Sequence, residues 1–126
     1  VYAQLLAGAT APAAVVQGCQ LLEDDPRFNA GTGSVLQSDG QIRMSASLMN
    51  GALQRFSGVI NVSRVQNPIQ LAEVLQESSD RVLSDHGAAE LLRELELPVD
   101  RNSLTGMAAG APGEFLQGNG RCGGRT

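Results

Sequence analysis

Apolar residues recur at helical spacing in the first part of the chain. Residues 1–6 predict the end of a helix that Gly8 stops, with one apolar face formed by Val1, Leu5 and Leu6. A second helix is predicted to begin after Thr10, a candidate N-cap. Its apolar positions i, i+4 and i+7 predict one buried stripe, made of Val15, Cys19 and Leu22. The thiol on that stripe is therefore expected to be a small core group and not a reactive one.

The pattern changes at Asp25-Pro26, where the helix must stop, and the glycine-rich stretch FNAGTGS that follows predicts an irregular loop. Two strand-like runs, 35–37 and 42–49, flank Asp39-Gly40, a dipeptide that predicts a hairpin with a type I′ turn. Residues 53–65 are rich in Val, Ile, Phe and Ser and predict a third strand. The predicted order up to this point is helix followed by three strands.

Two more helices are predicted in the second half of the chain. The first opens with Asn67 as N-cap and Pro68 at the first position, and its apolar face is formed by Ile69, Ala72 and Leu75. Asp85 is expected to cap the second, whose buried face is formed by Ala88, Leu91, Leu92 and Leu95. Glu90, Arg93 and Glu94 mark its solvated face. His86 opens that helix and is expected to be an exposed surface histidine.

Composition and charge narrow the possible classes of protein. A chain of 126 residues has room for one core, which we expect within residues 1–96. Residues 97–126 contain seven glycines, a composition that predicts a flexible linker or tail. The net charge of −4 argues against a nucleic-acid partner, and no apolar run reaches the roughly 18 residues of a membrane span. Two cysteines without metal-ligand spacing indicate a reducing compartment, so we expect a cytoplasmic protein.

Few side chains could carry catalysis. His86 is the only histidine, and a triad or zinc site built within the chain would rest on it alone. All nine basic residues are arginine, so lysine Schiff-base chemistry is excluded. No catalytic residue is therefore assigned in this chain.

Several motifs are more specific than the periodicity. In order they are LEDDPRFNAGTGS at 22–34, VLQSDG at 35–40, MSASLMNG at 44–51, RVQNPIQLAEVL at 64–75 and DHGAAELL at 85–92. In order and spacing these motifs resemble the plant-type asparaginases, also called isoaspartyl peptidases, which are N-terminal-nucleophile hydrolases. The resemblance covers roughly residues 10–96.

The resemblance implies a precursor that cleaves itself into an α and a β subunit. The two subunits would fold together as an α/β protein, a four-layer αββα sandwich, and pair as an (αβ)2 assembly. This chain would be the α subunit, lacking the family's first strand and supplying roughly half of the sandwich. The nucleophile would be the threonine that begins the β subunit, since its free α-amino group can take the hydroxyl proton. Thr126 follows Arg125 instead of glycine and is expected to end a tail.

The implied activity is hydrolysis of L-asparagine and β-aspartyl dipeptides. Two alternatives stay open: a glycosylasparaginase with the same fold and nucleophile, and a non-catalytic homologue that acts as an assembly protein. The chain also departs from the family pattern at four positions, where an acid or a glycine is usual: Ser45, Asn50, Ser57 and Asn61. These departures leave the substrate preference open.

The resemblance also implies a structural sodium ion and no cofactor for catalysis. The ion would be held by backbone carbonyls, carried over to Leu22, Glu23, Asp25, Phe28, Ala30 and Thr32, with Asn29 as the supporting polar side chain. Carbonyl oxygens suit a hard cation, and a loop containing Pro26, Gly31 and Gly33 can turn its carbonyls inward. The alternative is a structural turn that needs no ion.

Overall fold

The computed structural model describes residues 1–97. Its helices are α1 (Tyr2–Leu6), α2 (Ala11–Glu23), α3 (Pro68–Val74) and α4 (Asp85–Glu94). Its strands are β1 (Met44–Asn50), β2 (Arg55–Val62) and β3 (Val82–Ser84), and 3-10 turns occur at Gly31–Gly33 and Leu75–Glu77. Apart from Leu97, the predicted linker 97–126 lies outside the described residues, and so does Thr126.

The three strands form one mixed sheet in the order β1-β2-β3. β1 and β2 are antiparallel, whereas β2 and β3 are parallel. Met44 pairs with Val62 but Ala46 pairs with Val59, so β2 carries one extra residue at this point. This is a β-bulge, and Asn61 within it has a positive φ of 61°. Helices packed on a sheet confirm the α/β class.

All the helix packing lies on one face of this sheet. α3 and α4 cover β2, and the main buried cluster consists of Ile42, Met44, Val59, Val62, Val65, Leu71, Leu75, Ala88 and Leu92. A smaller cluster joins α2 to α3 and β1 and consists of Val16, Leu48, Ile69 and Ala72. The opposite face of the sheet carries exposed apolar side chains, namely Met49, Phe56, Ile60 and Val82. In the described residues the molecule is therefore two layers, one of helices and one of strands.

The predicted helix boundaries are confirmed at the first two helices. Gly8 has a φ of 87°, and the Gly8 and Ala9 amides bond to the carbonyls of Leu5 and Gln4, a Schellman motif that ends α1. At the start of α2 the Thr10 hydroxyl accepts the Ala13 amide at 3.4 Å. Both ends follow from local sequence, because each cap uses residues within five positions of the helix terminus.

The predicted buried stripe of α2 is wrong. Val15 is 51% exposed and Leu22 is 45% exposed, whereas Val16 and Glu23 are buried and Cys19 is partly buried. Apolar residues occur in adjacent pairs on this helix, so its periodicity fits more than one rotation about the axis. Contacts with α3 and β1 decide the rotation, and they turn Val16 inward against Leu48, Ile69 and Ala72.

The predicted type I′ hairpin is also wrong. Residues 35–37 form no strand, and β1 begins only at Met44. Gly40 has a φ of 76° but Asp39 does not have a positive φ, as a type I′ turn would require. The Gly40 amide donates to the Gln37 carbonyl, and the Gln37 amide donates to the Gln41 carbonyl, both at 2.9 Å. These two bonds are typical of a three-residue loop that ends in a left-handed glycine. The predicted strand 53–65 is confirmed in shorter form as β2, and β3 went unpredicted.

The second pair of helices forms where predicted, with Asn67 as the N-cap residue of α3, but the expected side-chain cap bonds do not form. The Asn67 side chain does not cap α3 and instead donates to the Asp24 carboxylate at 3.0 Å. Asp85 is the first residue of α4 with a φ of 33°, and Ser84 is the N-cap without a side-chain bond. The buried face of α3 is as predicted, with Leu71 added, whereas in α4 Ala88 and Leu92 are buried, Leu91 is half-buried and Leu95 is exposed. His86 is exposed, as predicted, and lies 3.6 Å from Glu90.

Candidate cation loop

The segment from Leu22 to Ser34, called the cation loop below, folds back on itself through short-range backbone bonds. α2 ends as the Asp24 amide bonds to the Gln20 carbonyl at 2.9 Å. After Pro26, the Phe28 amide bonds to the Asp25 carbonyl at 3.1 Å and the Ala30 amide to the Phe28 carbonyl at 2.9 Å. These bonds make a tight irregular loop, as its proline and glycines predict.

Two glycines let carbonyl groups approach the loop backbone closely. A Cβ atom on Gly31 would overlap the carbonyl oxygen of Glu23, and Gly31 also has a positive φ of 51°. A Cβ atom on Gly33 would overlap the Phe28 carbonyl oxygen and come within 2.7 Å of that of Pro26. Any larger residue at either position would push these carbonyls away, so the glycines are a steric requirement of the loop.

The six predicted cation-binding carbonyls have different surroundings. Those of Glu23 and Phe28 lie against the two glycines. The carbonyls of Asp25, Phe28 and Ala30 each accept one loop amide, which leaves each oxygen a second lone pair. Leu22 lies in the last turn of α2, and Thr32 lies in the middle of the 3-10 turn. The loop therefore presents neutral oxygen donors, the type that binds a hard cation.

Asn29 closes the loop with its side chain. Its Oδ1 atom accepts the Val35 amide at 3.0 Å. Asn29 also lines a cleft of about 260 Å³ between the cation loop and the start of β1, and Arg43 and Ser45 line the same cleft. Arg43 forms an ion pair with Asp39 at 2.7 Å. The sequence did not indicate Arg43, because no motif or periodicity distinguished it from the other arginines.

Glu23 joins the cation loop to α3. Its side chain is buried, and Oε1 accepts the Ile69 amide at 3.1 Å, a bond across 46 residues of chain. Burial raises the pKa of Glu23 to about 6, against the lowering effect of hydrogen bonds from Ile69 and Asn67. The neighbouring Asp24 accepts the side-chain amides of Asn67 at 3.0 Å and Gln66 at 3.2 Å. Two consecutive acidic residues thus hold the start of α3.

The other titratable groups near the loop are engaged locally. The Arg27 guanidinium donates to the Asp25 carboxylate at 2.9 Å and lowers the pKa of Asp25. Burial, with a smaller effect of the Glu23 charge, raises the pKa of the Cys19 thiol. A raised pKa leaves less thiolate at neutral pH, which agrees with the predicted unreactive role of Cys19.

Acidic, histidine and cysteine side chains do not gather into a metal site anywhere in residues 1–97. None of the helices in the same range combines the length and apolar character needed to cross a membrane.

Each of the four residues expected to depart from the family pattern takes part in a hydrogen bond. Asn61 adopts the left-handed conformation that a glycine would adopt, and its amide donates to the Ser45 hydroxyl at 3.2 Å. Ser57 is fully buried and donates to the Ala72 carbonyl at 2.5 Å. Gln76 donates in turn to the Ser57 hydroxyl at 2.6 Å. The Asn50 side chain accepts the Leu53 amide at 3.3 Å in the turn after β1.

Residues 1–109 match the family described as Asparaginase. The chain is 74% identical over 105 residues to an isoaspartyl peptidase/L-asparaginase from Nostoc sp., which covers 83% of this chain and 33% of that protein. It is 70% identical over 99 residues to the protein of the same name from Synechocystis sp. (79% and 30% covered), and 40% identical over 93 residues to a plant-type L-asparaginase from Pyrococcus horikoshii (73% and 30%).

The described residues form a mixed α/β segment with a loop in which two glycines admit backbone carbonyls at close range. The chain belongs to the asparaginase family. It spans about a third of the length of the curated relatives it matches.

Proposed function

We propose that this chain is the α part of an amidohydrolase that acts on L-asparagine and β-aspartyl dipeptides. The observation that carries the proposal is the 74% identity over 105 residues to a protein named isoaspartyl peptidase/L-asparaginase. That aligned length exceeds the 97 described residues, so the likeness is not confined to one motif. The proposal extends to a protein longer than this chain, since each relative is about three times the aligned length.

In this proposal the nucleophile is a threonine at the start of a β subunit, freed by self-cleavage of a common precursor. A free α-amino group, with a pKa near 8, can accept the threonine hydroxyl proton without a histidine. The surroundings of the two conspicuous nucleophile or base candidates support this. Cys19 has a raised pKa, and His86 lies on an exposed helix face beside Glu90. A cytoplasmic location would keep the free Cys19 thiol reduced.

The β subunit would cover the exposed face of the sheet and complete a four-layer sandwich. Met49, Phe56, Ile60 and Val82 project from that face, while the helices cover the other. An apolar sheet face of this kind needs a second layer in a stable domain. Pairing of two such αβ units would then give the (αβ)2 assembly.

The cation loop would hold a structural sodium ion. Its donors would be the carbonyls of Leu22, Glu23, Asp25, Phe28, Ala30 and Thr32, with Asn29 bracing the loop. The support is steric and chemical: two glycines admit the Glu23 and Phe28 carbonyls, and neutral oxygens suit a hard cation. When bound, the ion would fix the loop between α2 and β1 and would take no part in the chemical step.

The activity is tested with the complete protein and a panel of substrates. We expect release of ammonia from L-asparagine and of aspartate from a β-aspartyl dipeptide, with little turnover of a glycan-linked asparagine. Preference for the glycan-linked substrate would identify a glycosylasparaginase instead. A folded, processed protein that turns over none of the three would favour the non-catalytic alternative.

The carbonyl-built site predicts an unusual ranking of loop variants. Gly31→Val or Gly33→Val should lower activity by at least tenfold, because the added side chain displaces the Glu23 or Phe28 carbonyl. Glu23→Gln should lower it less, since glutamine keeps an oxygen that can accept the Ile69 amide. Gly51→Val is the control, because a Cβ atom there meets nothing within 4 Å. The reverse ranking in a paired assay would contradict a site made of backbone oxygens.

A further inference from the structure

Glu23 occupies two roles in the fold at once. Its backbone carbonyl lies against Gly31 inside the cation loop, and its side-chain Oε1 accepts the Ile69 amide at the start of α3. Glu23 is buried, with 6% of the residue exposed, and it also lines the cleft beside the loop. A carboxylate that accepts a buried amide is among the stronger hydrogen bonds of a protein interior. The orientation of the Glu23 carbonyl is thus tied to the position of α3.

The residue at the far end of this bond, Ile69, is buried. Ile69 belongs to the cluster of Val16, Leu48 and Ala72, which packs α2, α3 and β1 together. Asp24 reinforces the same connection, because its carboxylate accepts the Asn67 and Gln66 side-chain amides. The loop therefore begins at a point fixed by α3, whereas its later residues from Pro26 to Thr32 are held by bonds within the loop.

From this geometry we propose that the Glu23 side chain is a positioning residue for cation binding. By accepting the Ile69 amide it holds its own carbonyl, and the adjoining end of the loop, in the arrangement that binds the ion. The side chain does not itself contact the cation. This inference rests on the proposed sodium site, and it adds that affinity for the ion depends on a side-chain acceptor anchored in α3.

The test compares three substitutions in the complete protein at pH 8. Glu23→Met has a similar length but no oxygen that can accept the Ile69 amide. Glu23→Asp keeps the charge but is one methylene shorter, so its oxygens lie farther from that amide. Glu23→Gln keeps an accepting oxygen without the charge. Glu73→Ala is the control, since Glu73 is an exposed carboxylate of α3 outside the loop. The readout is the rise in melting temperature with NaCl, measured against choline chloride at equal ionic strength.

We expect the wild type, Glu23→Gln and Glu73→Ala to show the sodium-specific rise with similar midpoints. Glu23→Met should need about tenfold more sodium, and Glu23→Asp should lie between Glu23→Met and the wild type, as the loss of one buried hydrogen-bond acceptor predicts. If Glu23→Met fails to fold, the Glu23→Asp midpoint decides the question.

Two results would overturn the inference while leaving the sodium site intact. One is an unchanged sodium midpoint in Glu23→Met and Glu23→Asp with a lower melting temperature, which would make Glu23 only structural. The other is an equal loss in Glu23→Gln, which would assign the effect to charge and not to the acceptor. Absence of a sodium-specific rise in the wild type would overturn the proposed ion itself, and the inference with it.

Discussion

Ser57, one of the residues expected to depart from the family pattern, is a buried polar residue whose hydroxyl is hydrogen-bonded. Ser57 is completely buried, yet its hydroxyl donates to the Ala72 carbonyl and accepts from Gln76. Gln76 also donates to the Leu48 carbonyl at 3.0 Å, so this pair connects β1, β2 and α3. A glycine at position 57 would leave the Ala72 carbonyl and the Gln76 side-chain amide without their bonds to this hydroxyl. Ser57 and Gln76 therefore act as one unit.

Ser57→Ala should lower the free energy of unfolding of the complete protein by about 1–3 kcal/mol, because it removes the two buried hydrogen bonds that the hydroxyl makes to the Ala72 carbonyl and the Gln76 side chain. Ser63→Ala, at an exposed position just after β2, is the control and should change it by less than about 0.5 kcal/mol. Urea unfolding measures both. Equal effects at the two positions would mean that the Ser57 hydroxyl contributes nothing specific.

At the scale of elements, local signals determined where helices begin and long-range contacts determined how they pack. Thr10 and Asn67-Pro68 mark helix starts within a few residues, and the structure places helices there. The rotation of α2 could not be predicted, because Val15 and Val16 are equally apolar and only contacts with α3 and β1 distinguish them. β3 has three residues, too few for a periodic signal, and it forms by pairing with β2.

The same distinction applies to the cation loop. Its existence could be predicted, since Pro26, Gly31 and Gly33 are local signals for a tight turn. The bond from Glu23 to the Ile69 amide could not, because it joins residues 46 positions apart and replaces the cap expected from Asn67. Sequence therefore identified the loop but not the residues of α3 that fix its position.

The rotation of α2 can be measured directly by truncating each valine. Val16→Ala should lower the free energy of unfolding by about 2 kcal/mol, since two buried methyl groups are lost and a cavity remains. Val15→Ala, the matched control one residue away, should lower it by less than about 0.5 kcal/mol because Val15 is largely exposed. A larger effect at Val15 would show instead that the buried face of α2 is the one predicted from the sequence, formed by Val15, Cys19 and Leu22.

At the scale of the whole molecule, the described residues form an incomplete layer structure. Helices cover one face of a three-stranded sheet, and the other face exposes Met49, Phe56, Ile60 and Val82. The chain also spans about a third of the length of its curated relatives. Both observations agree with a segment that works together with further chain, which in our proposal supplies the second sheet and the nucleophile.

The most direct test of this account is the turnover of a β-aspartyl dipeptide by the complete, processed protein. We expect the wild type to release aspartate, and a variant with the proposed N-terminal threonine of the β subunit changed to alanine to lose at least about 10³-fold in kcat, since our proposal makes that threonine the nucleophile. Residues 1–126 alone should show no turnover. Substantial activity in the alanine variant, or in the isolated chain, would contradict the account.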